Sequence, residues 1–440
     1  MVASPSGSSG GPSAVKRGEE EKGGKLVTDA YAAAILGQVA QGASGVPSSS
    51  SSSLSQGLGN GGASEAPRHV EQGEGMSTAL SRRQSRVEAK VRALLDAEVA
   101  DVEALREACW GGVPGRHRAE AWGVLLGYAP LQRGRREAVL SRKRAEYWDS
   151  LTEYRAAEEG GSGVNPEHRS LLHQIHLDVP RTATDCVAFR FKRVQACLAR
   201  LLFLWGLRHP ASGYVQGVND LAVPFFQTFL EHECGVYSRG GEEDKAQDYQ
   251  GPGGQWRDPF ADMDVADPAV VSDAALRRVE ADAYWCLSRM VEGVQDNYTF
   301  AQPGIQRRVF RLRELVTRVD RPLADALEGY GIEFLQFGFR WINCLLSREL
   351  PHPLVIKLWD CYCSEGIDGF PEFHTYVCAA LLTSFSKDLL QCADFQDALI
   401  LLQKLPTLDW DADKMQLVLA QAYMWRALYG SSPNHTNMVG

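Results

Sequence analysis

A chain of 440 residues with 44% hydrophobic content can bury a large core, as one large domain or two packed subdomains, and it shows no fibrous or collagen-like bias. A net charge of -9 with no dense Lys/Arg block excludes a generic nucleic-acid binder and makes an anionic membrane surface a poor partner. The ten cysteines sit mostly inside apolar helical patterns with no CxxC pair, as buried thiols of a reducing compartment do. With acidic Glu19-Glu20-Glu21 near the start and no apolar run of about 18 residues, the expectation is a cytoplasmic protein without a transmembrane segment.

Residues 1–85 are dominated by Ser, Gly, Ala and Pro, including the run Ser48 to Ser53, and lack the aliphatic density to offset chain entropy. A disordered tail is expected there. One island, Thr28 to Gln41, has the apolar spacing of a short helix that could dock on an adaptor. From Val87 the character changes: Val87, Val91, Leu94, Leu95, Val99 and Val102 recur at helical spacing and the pattern runs on to Trp110. The folded domain is therefore expected over 86–435, with 436–440 a disordered C-terminus.

Gly111 to Gly115 breaks that pattern, after which Arg118 and Trp122 stand four apart on a helix ending near Gly127. A charged helix is expected from about Arg136 to Arg155. Asn165-Pro166 reads as an N-cap with Pro at the first helical position, starting a helix that runs to about Leu177. Pro180 biases Val179 toward extended backbone and puts Arg181 on a tight loop. The next helix carries Val194, Leu198, Leu201, Leu202 and Trp205 and is closed by His209-Pro210.

Arg181 precedes this helix and Gln216 follows it. One unbroken helix over 184–208 would be ~37 Å long at 1.5 Å per residue and would keep the two side chains from meeting one small ligand. The pairing of Arg181 with Gln216 thus requires Thr182 to about Arg190 to be non-helical, or only briefly helical, and to run back beside a helix starting near Lys192.

Asn219-Asp220 can cap an apolar helix over Leu221–Leu230, with Pro224 in its first turn. Residues 231–273 then carry 11 acidic and 3 basic residues with many Gly and Pro, which reads as an acidic mobile insertion. Helical patterns resume near Ala274, and a C-terminal helical subdomain is expected from about 305. Its segments include Phe334 to Leu350, Pro353 to Cys361 and Phe373 to Leu390. Period-2 alternation is almost absent, so the fold is all-α: many short to medium helices in two packed helical subdomains behind a disordered tail.

His173 and His176, with Asp178 nearby, lack the Glu and Cys partners of a zinc site and read as helix-face residues. Neither a Walker-type phosphate loop nor a GxSxG elbow is present, so the chain is not expected to be a hydrolase itself. The apolar residues Phe225, Phe226, Phe337 and Trp341 read as core. Arg340, Arg348 and Asp360 read as ion pairs closing the helix packing.

The run Arg118-x-x-x-Trp122, Ile175-x-x-Asp178-x-x-Arg181 and Tyr214-x-Gln216-Gly217 resembles, in order and spacing, the three signature motifs of the TBC domain of Rab GTPase-activating proteins. Phe339-Arg340-Trp341, Arg348-Glu349-Leu350-Pro351 and Leu358-Trp359-Asp360 extend the likeness, which spans about Leu105 to His435. The phrases Arg208 to Tyr214 and Gln295 to Gly304 are similar to the member-22 branch of that family.

The resemblance implies a GTPase activator that completes the active site of a GTP-bound Rab-type small GTPase in vesicle trafficking. It would have no cofactor of its own and would act on GTP and Mg held by the partner. Arg181 would be the arginine finger and Gln216 the glutamine that orients the attacking water. Asp178 would pre-aim Arg181, Arg118 would lie beside the GTPase surface with Trp122 as core, and Tyr214, Gly217 and Asn219 would support the Gln216 loop. Location at Golgi or other endomembranes is implied by the same likeness. A catalytically silent GTPase-binding or trafficking scaffold is the alternative, although a scaffold has no need of both Arg181 and Gln216.

Overall fold

In the computed structural model the described residues are 85–160, 165–236 and 258–430. The island Thr28 to Gln41, the expected disordered tail, residues 237–257 of the acidic stretch with Trp256, and 431–440 lie outside them. The described helices, on both sides of residue 305, belong to one unit. Among the described residues the backbone is helical, with an isolated bridge between Val99 and Gln132 in place of any sheet.

The helical pattern beginning at Val87 is divided. Helix α1 covers 85–96, and α2 (Val102–Cys109) starts anew where the Asp101 carboxylate accepts from Ala104 N at 3.0 Å. Helix α3 (Gly115–Leu125) carries Arg118 and Trp122. The single charged helix expected over 136–155 is instead α4 (Arg136–Asp149) and α5 (Thr152–Glu159), separated where Leu151 is buried.

Helix α6 (Pro166–Asp178) begins as its sequence dictates, with Asn165 Oδ1 accepting from Glu167 N at 2.9 Å and Pro166 in the first turn. Helix α7 (Lys192–Arg208) starts at the expected place. Helix α8 (Val218–Cys234) differs from expectation. It starts at Val218 on Gly217, so Asn219 and Asp220 lie inside its first turn and Pro224 lies in its second. That proline removes one i→i−4 bond.

Residues 231–273 do not form one mobile insertion. The first four extend α8, and 258–272 is packed, with Phe260 and Val265 fully buried and Asp258 accepting from Val187 N at 2.5 Å and Phe260 N at 2.7 Å. Apolar residues spaced through an acidic stretch anchored it; the charge count alone concealed them.

Helices α9 (Asp273–Glu292), α10 (Pro303–Val319), α11 (Arg321–Gly329) and α12 (Phe334–Asn343) follow. The last is shorter than the Phe334–Leu350 pattern, because Leu345 and Leu346 adopt positive φ (48° and 60°) and turn the chain. Helix α13 (His352–Ser384) is long but kinked at Gly366, and α14 (Ser386–Leu389), α15 (Phe395–Gln403) and α16 (Ala412–Tyr429) complete the chain. Edge-to-face rings join three helices at the core: Trp122 to Phe225 at 5.6 Å and Phe225 to Trp359 at 5.0 Å. Phe226, Phe337 and Trp341 are buried as expected.

Candidate functional site

Helix α6 does not end by Val179 turning extended. Val179 keeps helical angles (φ -57°, ψ -44°), and a short 3-10 turn, Val179–Arg181, follows with Pro180 inside it. Thr182 N donates to Val179 O at 3.1 Å, and Thr182 is the first extended residue (ψ 127°). Proline costs nothing at the start of such a turn, because the turn asks it for no donor. Arg181 emerges on a tight loop, as the sequence implied, one residue earlier than the chain extends.

The chain between Arg181 and Gln216 doubles back. Residues 182–186 are turns, a 3-10 segment covers Val187–Arg190, and α7 then returns over 17 residues, ~25 Å by helical rise. The connection that lets it return is turn and 3-10 backbone rather than continuous helix. The closure is written in hydrogen bonds: Tyr214 OH donates to Asp178 Oδ2 at 2.9 Å, and Asn219 Nδ2 donates to Thr182 Oγ1 at 2.9 Å. One bond joins each side of the Arg181 turn to one side of the Gln216 loop.

Asp178 is the hub. It is fully buried, its Oδ1 pairs with Arg181 Nη2, and its Oδ2 also accepts from Gln174 Nε2 at 3.3 Å. Its carbonyl accepts from Thr182 Oγ1 at 2.9 Å. Burial, and then the charge of Asp178, push the Tyr214 phenol well above its ordinary value, so it stays a proton donor to the carboxylate. Against this fixed base the Arg181 side chain remains 56% exposed. Gln216 is also exposed, and among the described residues its carboxamide has no hydrogen-bond partner.

The Gln216 loop is fixed through its backbone. Asn219 Oδ1 accepts from Gly217 N at 2.9 Å, and Asn343 Nδ2 donates to Gln216 O at 3.0 Å from 127 residues away. Gly217 sits at φ 113°, where a Cβ would come 2.2 Å from Asn343 Nδ2, so backbone conformation and close approach both require glycine. Beneath it Arg348 Nε donates to Asp220 Oδ2 at 2.8 Å, with Cys344 Sγ at 3.5 Å. Burial raises the Asp220 carboxyl above its ordinary value and Arg348 opposes that rise.

Six of the expected site residues therefore gather in one network: Asp178, Arg181, Tyr214, Gln216, Gly217 and Asn219. Two do not. Arg118 is turned inward, its Nε 3.0 Å from Asp360 Oδ1 and its Nη2 donating to Val113 O at 2.7 Å, so it does not lie on an outer surface. Trp122 is core, as expected, and its Nε1 donates to the same carboxylate at 2.8 Å. Their i, i+4 spacing places both on one helix face, and that face is the buried one. His173 and His176 lie exposed on α6.

Sequence reasoning missed Thr182 and Asn343. A Thr next to the exposed Arg, and an Asn among the apolar residues ending α12, were the available signals. Neither names its partner.

The arrangement is an all-α scaffold that projects one guanidinium and one carboxamide from two coupled loops. Residues 115–390 match the Rab-GTPase-TBC domain family, and the chain belongs to that family. It is 43% identical over 350 residues to the GTPase-activating protein gyp1 of Schizosaccharomyces pombe, and 42% identical over 354 residues to TBC1 domain family member 22B of Homo sapiens. These alignments cover 79% and 80% of this chain but only 62% and 64% of those relatives, so the chain spans under two thirds of their length. The crystal structure of the Ypt/Rab-GAP domain of Gyp1p superposes with a TM-score of 0.67 at 38% identity, over 78% of this chain and 98% of that one.

Proposed function

We propose that this chain accelerates GTP hydrolysis by a Rab-type small GTPase, supplying Arg181 and Gln216 in trans. The observation that carries the proposal is their shared presentation: two exposed polar side chains on loops locked together by the Asp178–Tyr214 and Thr182–Asn219 bonds. Membership of the TBC family and the likeness to a protein named as a GTPase-activating protein support it.

Hydrolysis of GTP asks for positioned charge and a positioned water more than for covalent chemistry. The Arg181 guanidinium neutralises charge developing on the leaving phosphates, with Asp178 taking one of its nitrogens and leaving the others free to bind oxygen. The Gln216 carboxamide accepts from and donates to the attacking water, with its backbone fixed by Asn343. GTP and Mg stay with the partner, and the chain brings no cofactor and is no hydrolase itself. The setting is vesicle trafficking, in the cytoplasm or peripheral at Golgi or other endomembranes. No described helix is long and apolar enough to cross a membrane. The N-terminal tail is the proposed place for adaptor contacts.

The test is single-turnover GTP hydrolysis across a panel of Rab proteins, with Arg181→Ala and Gln216→Ala beside the parent. Each substitution is expected to lower stimulation by at least about 10²-fold while GTPase binding survives, because these contacts strengthen in the transition state. Binding without stimulation by the parent would instead favour a silent scaffold.

A further inference from the structure

Phe300 is 95% exposed, the largest exposure among the large apolar side chains of the described residues. Single exposed hydrophobics are common and need no explanation. This one sits on a loop that is neither loose nor relaxed. Arg308 Nη1 donates to Asp296 Oδ1 at 2.9 Å and to Asn297 Oδ1 at 2.6 Å, and Gln306 Nε2 donates to Ala301 O at 2.8 Å. A Cβ on Gly304 would come 2.4 Å from Asp296 Oδ1, so the closing side of the loop is packed against its opening side. The two residues after Phe300, Ala301 and Gln302, both hold left-handed angles (φ 61° and 48°) that side chains disfavour. Bonds and strain together keep an aromatic ring in water.

The loop is continuous with the Gln216 support. Tyr298 OH donates to Asn343 O at 2.8 Å, while the side chain of the same Asn343 holds Gln216 O at 3.0 Å. On α12, Phe339 is 38% exposed and lies one turn before Asn343, ~6 Å along the axis, with Leu335, 45% exposed, one turn further. Two elements that meet at Asn343, which holds the Gln216 carbonyl, thus each put an apolar side chain into water.

We propose that Phe300 and Phe339 form an apolar docking shelf for the GTP-bound GTPase, recognising an apolar patch on that partner's nucleotide-binding face. The inference rests on the catalytic reading above. A globular partner whose nucleotide meets Arg181 and Gln216 must cover the surface around them, and a standard interface takes about 800 Å² from each side. Centred on Gln216, such a patch reaches onto α12 and the Tyr298 loop. Aromatic anchors on rigid backbone are the side chains that carry most of the energy in such contacts. The shelf therefore governs which GTPase is accepted and how tightly, whereas Arg181 and Gln216 govern the rate once it is bound.

The experiment uses the full chain and the GTPase it stimulates most, with GTP hydrolysis followed over a range of activator concentrations for the parent, Phe300→Ser, Phe339→Ser and the double variant. Phe300→Ser is expected to raise the half-saturating concentration about 10-fold, and the double variant further, with the saturating rate within about twofold of the parent. A curve that overlays the parent overturns the shelf. A fall in saturating rate without a shift in half-saturation also overturns it, since distortion of the Gln216 loop would do that.

Light scattering on the same samples tests the competing occupant. A dimer that Phe300→Ser dissociates, with stimulation unshifted, assigns the face to a second copy of this chain. Arg181→Ala, run in parallel, separates the two claims: if it keeps the full saturating rate, the catalytic reading fails while a Phe300 shift still stands as a binding result. If the parent neither binds nor stimulates any GTPase tested, both fall.

Discussion

Asp178 and Asp360 are both buried carboxylates carrying an arginine, yet Arg181 keeps 56% of its side chain in water and Arg118 only 14%. Around Asp360, Arg118 commits Nε to the carboxylate and Nη2 to Val113 O, and Val113 N and Trp122 Nε1 fill the remaining acceptor positions. Around Asp178, Tyr214 and Gln174 supply much of what the carboxylate needs, and Arg181 commits Nη2 alone. A guanidinium has five N–H donors in a fixed fork. Where the arginine gives the buried acid one nitrogen and keeps the rest of its side chain in water, most of that fork stays available to another anion. Where the arginine is enclosed, the pair becomes part of the packing.

The largest expected effect exchanges the two arginines' fates. Arg181→Ala should lower the saturating hydrolysis rate by about 10³-fold, in the range of arginine fingers, with a smaller loss of urea stability than Arg118→Ala because its guanidinium lies mostly in water. Arg118→Ala should do the reverse. It leaves Asp360 buried without its cation, costing about 3 kcal/mol in denaturant unfolding, with the saturating rate of the folded protein kept within a few fold. If Arg118→Ala abolishes the rate at full folding, the contrast between the two pairs is wrong.

Next in size is Gly217→Ala, which meets both the positive φ and Asn343 Nδ2. Its expected signature is a drop in rate of about 10-fold, with a stability loss of about 1–2 kcal/mol. Asn343→Ala combined with it removes the collision but not the backbone strain, so partial recovery of rate in the double variant is expected from the same kinetic assay.

A smaller effect concerns acid. Burial lowers His374 to about 3 and His352 to about 4, against an ordinary value of 6.5. The unfolded chain therefore binds more protons than the folded one between those limits. Stability is full above pH 6.5 and falls as pH drops through that window, by about 2 kcal/mol per histidine at pH 5. Burial also raises the Asp220, Asp360 and Glu349 carboxyls, which moderates the loss at the acid end because protonation there favours the folded state. Urea midpoints from pH 7.5 to 5 should show the decline, with a shallower slope in His374→Asn.

Much of this arrangement is legible in the residues. Asn165-Pro166 states the start of α6, and the need for Arg181 and Gln216 to meet places the start of α7 near Lys192, where it lies. Other readings fail where local signals compete with distant ones. Asn219-Asp220 looks like a cap, but the carboxamide is drawn to Gly217 N and Thr182, and the helix begins earlier. Acidic residues around 258–272 suggest a solvated loop, while Phe260 and Val265 find a core the local pattern does not mention.

The sequence by itself determined the all-α class, the periodic core faces, the exposed turn at Arg181 and the glycine after Gln216, because these follow from short-range spacing and backbone stereochemistry. Only the tertiary structure decided which arginine faces inward and which faces water. It alone brought Asn343 to the Gln216 carbonyl across 127 residues, and set Phe300 on a loop tied to the same asparagine. Those outcomes depend on which buried acid meets which set of donors after the helices pack, and no local pattern encodes that meeting.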